Sequence, residues 1–347
     1  MTKALALIAL LGVIASACTR ASSSGTSAKP LDFYGANPTL ADVRSLLGDA
    51  TWWPGPPSFG VRPLDSASMP YREKFHVITR FTHIGTAETL DIEYTLWDTT
   101  SSATTQMTNI QAAFGTSASG PKVGDQVLYY GSQTSGAAPY GTATFVRIGQ
   151  IITTITLNLK DAFPSVSQLG RIASKVTSRL KDVLNGKVRA TPLLAGDASY
   201  LPPAGPDLTL LASVKIPIEA VIVMFDFAAP EALAAALKST GVDNIVFGDY
   251  ALNNDTHMEV RAGVFVFNTT TDAATWFNAL RGSYTVDANG ITAFYDYSNG
   301  QYFSLFTAGT KGALLVCRST ALQESASRAC ELPLSRVAPA WQLNLTP

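Results

Sequence analysis

Three histidines, His76, His83 and His257, are all the imidazoles that the 347 residues offer for chemistry. One of them has carboxylates at a useful spacing. In GDYALNNDTHMEV (248–260), Asp255, His257 and Glu259 follow one another at intervals of two. An extended chain presents such residues on one face. An imidazole between carboxylates could hold a divalent metal or activate water for hydrolysis. The same stretch also reads as a polar hairpin tip, with Asn253, Asn254 and Asp255 chosen for turn geometry. His76 and His83 are seven apart on one extended run, so they face opposite sides and cannot share a metal. The chain contains no HExxH, Walker loop, GxGxxG or CxxC, and GTSASG (115–120) lacks the offset of a nucleophile elbow. No cofactor is expected. Catalytic groups need only meet in space, so missing motifs do not exclude an enzyme.

A second set of residues is suited to binding. ITAFYDYSNGQYFSLFTA (291–308) alternates like a strand pair and carries Asn299-Gly300, a strong turn signal. A two-residue turn there sets Tyr297 opposite Tyr302 and Tyr295 opposite Ser304. On the other face Phe294 opposes Leu305 and Asp296 opposes Phe303. Both faces are apolar, so Tyr295, Tyr297 and Tyr302 either form a platform for a glycan or protein partner or are buried between halves of the molecule. Trp52 and Trp53, beside PGPP, carry the same pair of readings: binding anchors if exposed, a cap on a core edge if folded back.

The elements that must position these residues are marked by a repeated phrase, DTTSSATT at 98–105 and NTTTDAAT at 268–275. Asp, Asn, Thr and Ser accept the free amides of a first helical turn. Ala103, Met107, Ile110 and Phe114 then recur at helical spacing. Before the first phrase lie two alternating runs, 74–84 and 88–97. After it come strands near 126–130, 141–148 and 150–157, and an amphipathic helix carrying Leu169 to Val183. The second half repeats the order: strands at 245–252 and 257–267, helix 268–282, the aromatic hairpin, a strand at 312–318 and a helix over about 322–337. Short helices at 39–49 and 230–241, each ended by Gly, precede the two sets. The expected fold is α+β, two tandem copies of an α-β-β-α-β-β-β-α unit, each a mostly antiparallel sheet packed with helices. The first copy spans 37–186 and the second 208–347, with 187–207 as a Pro- and Gly-containing linker. The apolar stretch 209–228 is broken by Lys215, Pro217, Glu219 and Asp226, so it is expected to hold a buried strand near 220–227 and not a membrane span.

Composition bounds the setting. Charged residues make up only 15% of the chain and the net charge is −1, so no basic field exists to hold a polyphosphate, and nucleic acid is not an expected partner. The N-terminus, MTKALALIALLGVIASACTR, has one Lys, an apolar run from Ala4 to Ala15 and small residues before Cys18. That run suits a signal peptide over residues 1–17. The residues ASAC at 15–18 resemble the lipobox of bacterial lipoproteins, although Ala15 stands where that pattern usually has Leu. The resemblance implies a lipid on Cys18 and a membrane anchor facing the periplasm or cell exterior. Ala15 and Ala17 also satisfy the rule for ordinary secretion. The Ser-rich stretch that follows reads as a flexible tether over 18–36. Cys317 and Cys330 remain, either as a disulfide of an exported chain or as two separate buried thiols. The order of elements is similar to PsbP-type sandwiches of exported bacterial proteins, a likeness with no specific motif behind it.

The expected role is therefore a cell-envelope lipoprotein with a non-catalytic binding function toward a protein, glycan or small ligand. The alternatives are an envelope hydrolase or metal-binding protein using Asp255, His257 and Glu259, and a structural component of a surface complex.

Overall fold

The computed structural model describes residues 28–60, 73–86, 88–131, 140–220, 230–252, 255–297, 300–319 and 326–346. Cys18 and the signal peptide lie outside them. The described chain begins with helices α1 (Pro30–Ala36) and α2 (Leu40–Leu47) and short strands β1 (Trp52–Pro54) and β2 (Ser58–Gly60). Then follow β3 (Glu73–His83), β4 (Thr89–Trp97), α3 (Thr100–Phe114), β5 (Gln126–Gly131), β6 (Tyr140–Ile148), β7 (Ile151–Leu159) and α4 (Val166–Leu184). The second part comprises β8 (Leu193–Ala195), β9 (Leu208–Pro217), α5 (Pro230–Ser239), β10 (Val242–Leu252), β11 (Asp255–Phe267), α6 (Thr270–Arg281), β12 (Thr292–Asp296), β13 (Gln301–Ala308), β14 (Lys311–Ser319) and α7 (Ala326–Leu345).

The class is α+β, with two mostly antiparallel sheets. The first runs β1-β3-β4-β7-β6-β5, with β2 also on β3; the second runs β12-β13-β14-β11-β10-β9-β8. The second residue of each repeated phrase caps a helix: Thr99 accepts from the Ser102 amide and Thr269 from the Asp272 amide. In the first part, α1 and α4 bury Phe33, Leu169, Ile172, Val176 and Leu180 against Val77, Phe81, Ile92 and Tyr94 of one sheet face. Helix α3 covers the other face with Ala103, Met107 and Ile110. In the second part α7 lies on one face and α6 on the other. Leu211, Ala212 and Ala251 of the second sheet join the core of the first part, so the two parts pack directly.

Several segments differ from the sequence expectation. The stretch read as a tether to residue 36 has its last seven residues in α1, because Phe33 and Tyr34 are fully buried. The segment read as a linker contains β8, parallel to β9, and Leu201 enters the second core. The strand expected near 220–227 lies mostly outside the described residues; the strand that is described, β9, ends at Pro217, whose missing amide cannot continue a ladder. Helix α7 continues eight residues past the expected end, through Pro333 and Pro339. Its stripe Leu334, Ala338, Trp341 and Leu345 is buried, and that burial outweighs the missing amides. Cys317 of β14 and Cys330 of α7 form a buried disulfide with a Cα–Cα distance of 6.0 Å. No described helix is long and apolar enough to cross a membrane.

Candidate functional site

The three residues expected to ligate a metal are not brought together. His257 is exposed on β11, and its amide donates to Asp255 Oδ1 at 2.7 Å, the local turn pattern of an Asp. Glu259 is fully buried. Its Oε2 accepts from Arg318 Nε at 2.5 Å; its Oε1 accepts from Arg261 Nη2 at 3.2 Å and from the Phe59 amide at 3.1 Å. Three donors, two of them guanidinium groups, already hold this carboxylate. Among the described residues no group of three His, Cys, Asp or Glu side chains could hold one.

What the strand pairing does gather is a buried charged cluster at the junction of the two parts. Asp249 of β10 stands across from Arg261 of β11, and Glu259 of β11 across from Arg318 of β14. All four therefore share one sheet face, which lies under α1 and β2. Tyr34 of α1 donates to Asp249 Oδ2 at 2.6 Å, and Arg318 reaches Ser58 of β2 at 3.5 Å. Burial, and then the neighbouring Glu259 charge, push the Asp249 carboxyl well above its ordinary range. Burial pushes Glu259 upward too, but Arg261 and Arg318 more than offset it and hold Glu259 below the ordinary value. Burial, followed by the Asp249 charge, raises the Tyr34 phenol. No described cavity opens on the carboxyl groups of Asp249 and Glu259. The cluster has the chemistry of an active site and the placement of a joint.

The tryptophans belong to the same junction. Trp52 is buried, edge-on to His83. Trp53 donates its indole N–H to the Lys215 carbonyl of β9 at 2.7 Å, with Arg44 over its ring. Thr51 and Asp49 both meet His83, at 2.6 and 3.0 Å, but on the same ring nitrogen, Nε2. An imidazole cannot relay a proton between two groups through one nitrogen, so this trio is not a nucleophile–base–acid relay.

The aromatic hairpin differs from its expected register by two residues. Phe294 pairs with Phe303, Tyr295 with Tyr302 and Asp296 with Gln301, so the strands end earlier and the loop is longer than two residues. Tyr297 falls outside the ladder, 90% exposed, with its ring edge-on to Tyr295 at 4.9 Å. Tyr302 is buried beneath α7. The register places Phe294 and Phe303 on the α6 face, where Tyr284 lies flat on Phe294 at 3.9 Å and 5°.

The first part holds a corresponding pair that sequence reading missed. Phe114, the last residue of α3 and 60% exposed, stacks on Tyr130 of β5 at 5.3 Å, with Phe145 beside both. Tyr130 pairs with Ala143, five residues before the end of β6, as Phe294 pairs with Phe303, five residues before the end of β13. Each outer edge strand thus carries an aromatic ring at the same register, covered by a part-exposed ring: Phe114, the last residue of α3, and Tyr284, three residues past the end of α6. In the sequence Phe114 stands only as a helix-face residue. The signal for its exposure was its place directly before Gly115, where the helix stops.

No protein-family model matches the chain, and no curated protein matches it. Among solved structures, the extracellular domain of PknH from Mycobacterium tuberculosis aligns over 42% of this chain and 93% of that one, at 11% identity and a TM-score of 0.32. DynU16, from the dynemicin biosynthetic locus, aligns over 85% of this chain and 96% of its own, at 12% identity and a TM-score of 0.14. At these TM-scores neither alignment carries an argument about this chain.

Proposed function

We propose that this protein is an exported lipoprotein, anchored through Cys18, whose folded body binds a neutral polysaccharide of the cell envelope. The observation that carries the reading is the matched pair of aromatic ledges, Phe114 on Tyr130 and Tyr284 on Phe294. A sugar ring stacks on an exposed aromatic face, and two ledges of one design suit a ligand that repeats. The surroundings of the first ledge fit a neutral chain of hydroxyls: α3 has no charged residue and exposes Thr104, Thr105, Thr108, Asn109 and Gln111. The corresponding strand orders, β3-β4-β7-β6-β5 and β10-β11-β14-β13-β12, support descent of the two parts from one duplicated unit. A buried disulfide fits an oxidising compartment.

The test is retention of the full chain on insoluble envelope polysaccharide from the producing cells. Phe114→Ala and Tyr284→Ala should each weaken binding by roughly tenfold, as loss of one stacked ring does, and the double variant should abolish it. Unchanged retention of the double variant would sink the reading. Cys18→Ser should move the protein from membranes to the soluble fraction; full membrane retention would remove the anchor without touching the ledges.

A further inference from the structure

We propose that the cavity between α1, α4 and β8 is a binding site for a small carboxylate that carries a hydrogen-bond donor next to its acid group. The cavity has a volume of about 170 Å³ and is lined by Tyr34, Asn37, Phe81, Arg179, Leu193 and Leu194, among others. None of its lining residues is acidic. Ligand pockets for drug-sized molecules are roughly 300–1,000 Å³, so its occupant is small.

Arg179 supplies the charge. Its Nη2 donates to the Gly35 carbonyl at 3.1 Å, while its Nε is buried without an acceptor. Among the described residues no carboxylate pairs with it. Among the other half-buried arginines, Arg80 meets Asp91, Arg147 meets Asp125, and Arg261 and Arg318 meet Glu259, while Arg44 and Arg281 bond to carbonyl and amide oxygens away from this cavity. A guanidinium stays charged at any working pH and offers a planar fork matched to a carboxylate. An unneutralised fork at a cavity wall is therefore an anion-selecting feature, not a structural ion pair.

Asn37 supplies the second contact. It is 1% exposed, and its Nδ2 donates to Thr79 Oγ1 at 2.9 Å and to the Phe33 carbonyl at 3.3 Å. That fixes the amide with Oδ1 as an acceptor that has no donor. The Thr39 hydroxyl, in the same wall, is already engaged with Asp42. Leu40, Pro54, Phe81 and Leu193 make the rest of the wall apolar, which admits a short aliphatic body and rejects a second charge. This site is separate from the aromatic ledges and does not depend on them.

The probe is L-lactate, observed by saturation-transfer NMR on the full chain, with propionate lacking the donor and lactamide lacking the charge. Lactate should bind saturably, propionate more weakly and lactamide not at all. Arg179→Gln should weaken lactate by roughly tenfold or more, the loss expected for a charge-assisted fork. Leu194 stands at the rim, 56% exposed, so Leu194→Trp should block entry without disturbing the fold, and it decides the matter if Arg179→Gln fails to fold. Absence of saturable lactate binding, equal binding of lactamide, or undiminished binding by both variants would each overturn the assignment. Equal binding of propionate would overturn the role of Asn37.

Discussion

Tyr34 and Asp249 are 215 positions apart, and the Tyr34 hydroxyl donates to the Asp249 carboxyl at 2.6 Å with both side chains buried. The bond ties the first described helix to the middle of the second sheet. It also explains why a seven-residue helix persists: α1 is far too short to be stable alone, and its stability comes from what it touches. The bond belongs to a cluster in which Asp249, Glu259, Arg261 and Arg318 share one face, closed over by α1 and β2.

The cluster makes stability depend on pH in two directions. Asp249 is raised above its ordinary value, so its folded state holds a proton that the unfolded chain releases. Its contribution is present below the ordinary carboxylate range and drains away as pH rises through the raised value. Glu259 is lowered, so its contribution is present above the ordinary range and is lost as pH falls through the lowered value. Urea midpoints should therefore fall on both sides of an optimum. Asp249→Asn, which mimics the protonated acid, should flatten the alkaline limb and leave the acid limb in place. An unchanged alkaline limb would assign it to another group.

Glu259→Gln removes the anion from Arg261 and Arg318, whose side chains are 32% and 36% exposed. Removing one partner of a fully buried ion pair costs about 3–5 kcal/mol, and solvent screening of the part-exposed guanidinium groups reduces this to about 1–3 kcal/mol. The variant should lose that much in urea unfolding, and protection of the α1 and β2 amides in hydrogen exchange should fall with it. A loss below about 1 kcal/mol, the level of an exposed pair, would contradict the burial argument.

The disulfide joins β14 to α7 across 13 positions. Closing a loop of that size stabilises by about 3 kcal/mol in the chain-entropy picture. Cys317→Ala with Cys330→Ala should lower the thermal midpoint accordingly while α7 stays packed, because Leu334, Trp341 and Leu345 hold it independently. Near-ultraviolet circular dichroism should keep its Trp signal.

Gly196 follows β8, where a Cβ would lie 2.3 Å from the Lys215 amide nitrogen and 2.4 Å from the Val214 carbonyl carbon. Neither backbone atom can move without breaking the β9 ladder. Gly196→Ala should therefore detach β8 and destabilise by about 1–3 kcal/mol, the usual range for overpacking. Full stability of this variant would show that β8 is not held against β9 in solution.

Local order was legible in the sequence wherever one element carries its own signal. Caps at Thr99 and Thr269, the apolar stripes of α3 and α4, and the β3–β4 hairpin follow from side-chain oxygens and from periods of 3.6 and 2, which act within a few residues. The hairpin register was not legible: the Asn299-Gly300 signal set the existence of a turn, while the pairing of Phe294 with Phe303 places those rings on the α6 face, beneath Tyr284.

Function-bearing residues divide along the same line. Sequence by itself determined the α+β class and the types of residue available. It placed His257 and Glu259 on one strand but could not say that Glu259 would meet Arg318 and the Phe59 amide from outside its own hairpin. It marked Trp52 and Trp53 as conspicuous, yet the bond from Trp53 to Lys215 depends on a strand more than 160 positions away. Only the tertiary structure decided that the charged residues form a joint, that Arg179 meets no carboxylate among the described residues, and that Phe114 and Tyr284 occupy matching ledges. The reason is physical: a cap or stripe depends on neighbours along the chain, whereas burial, charge pairing and ring stacking depend on which distant segment arrives to cover a face.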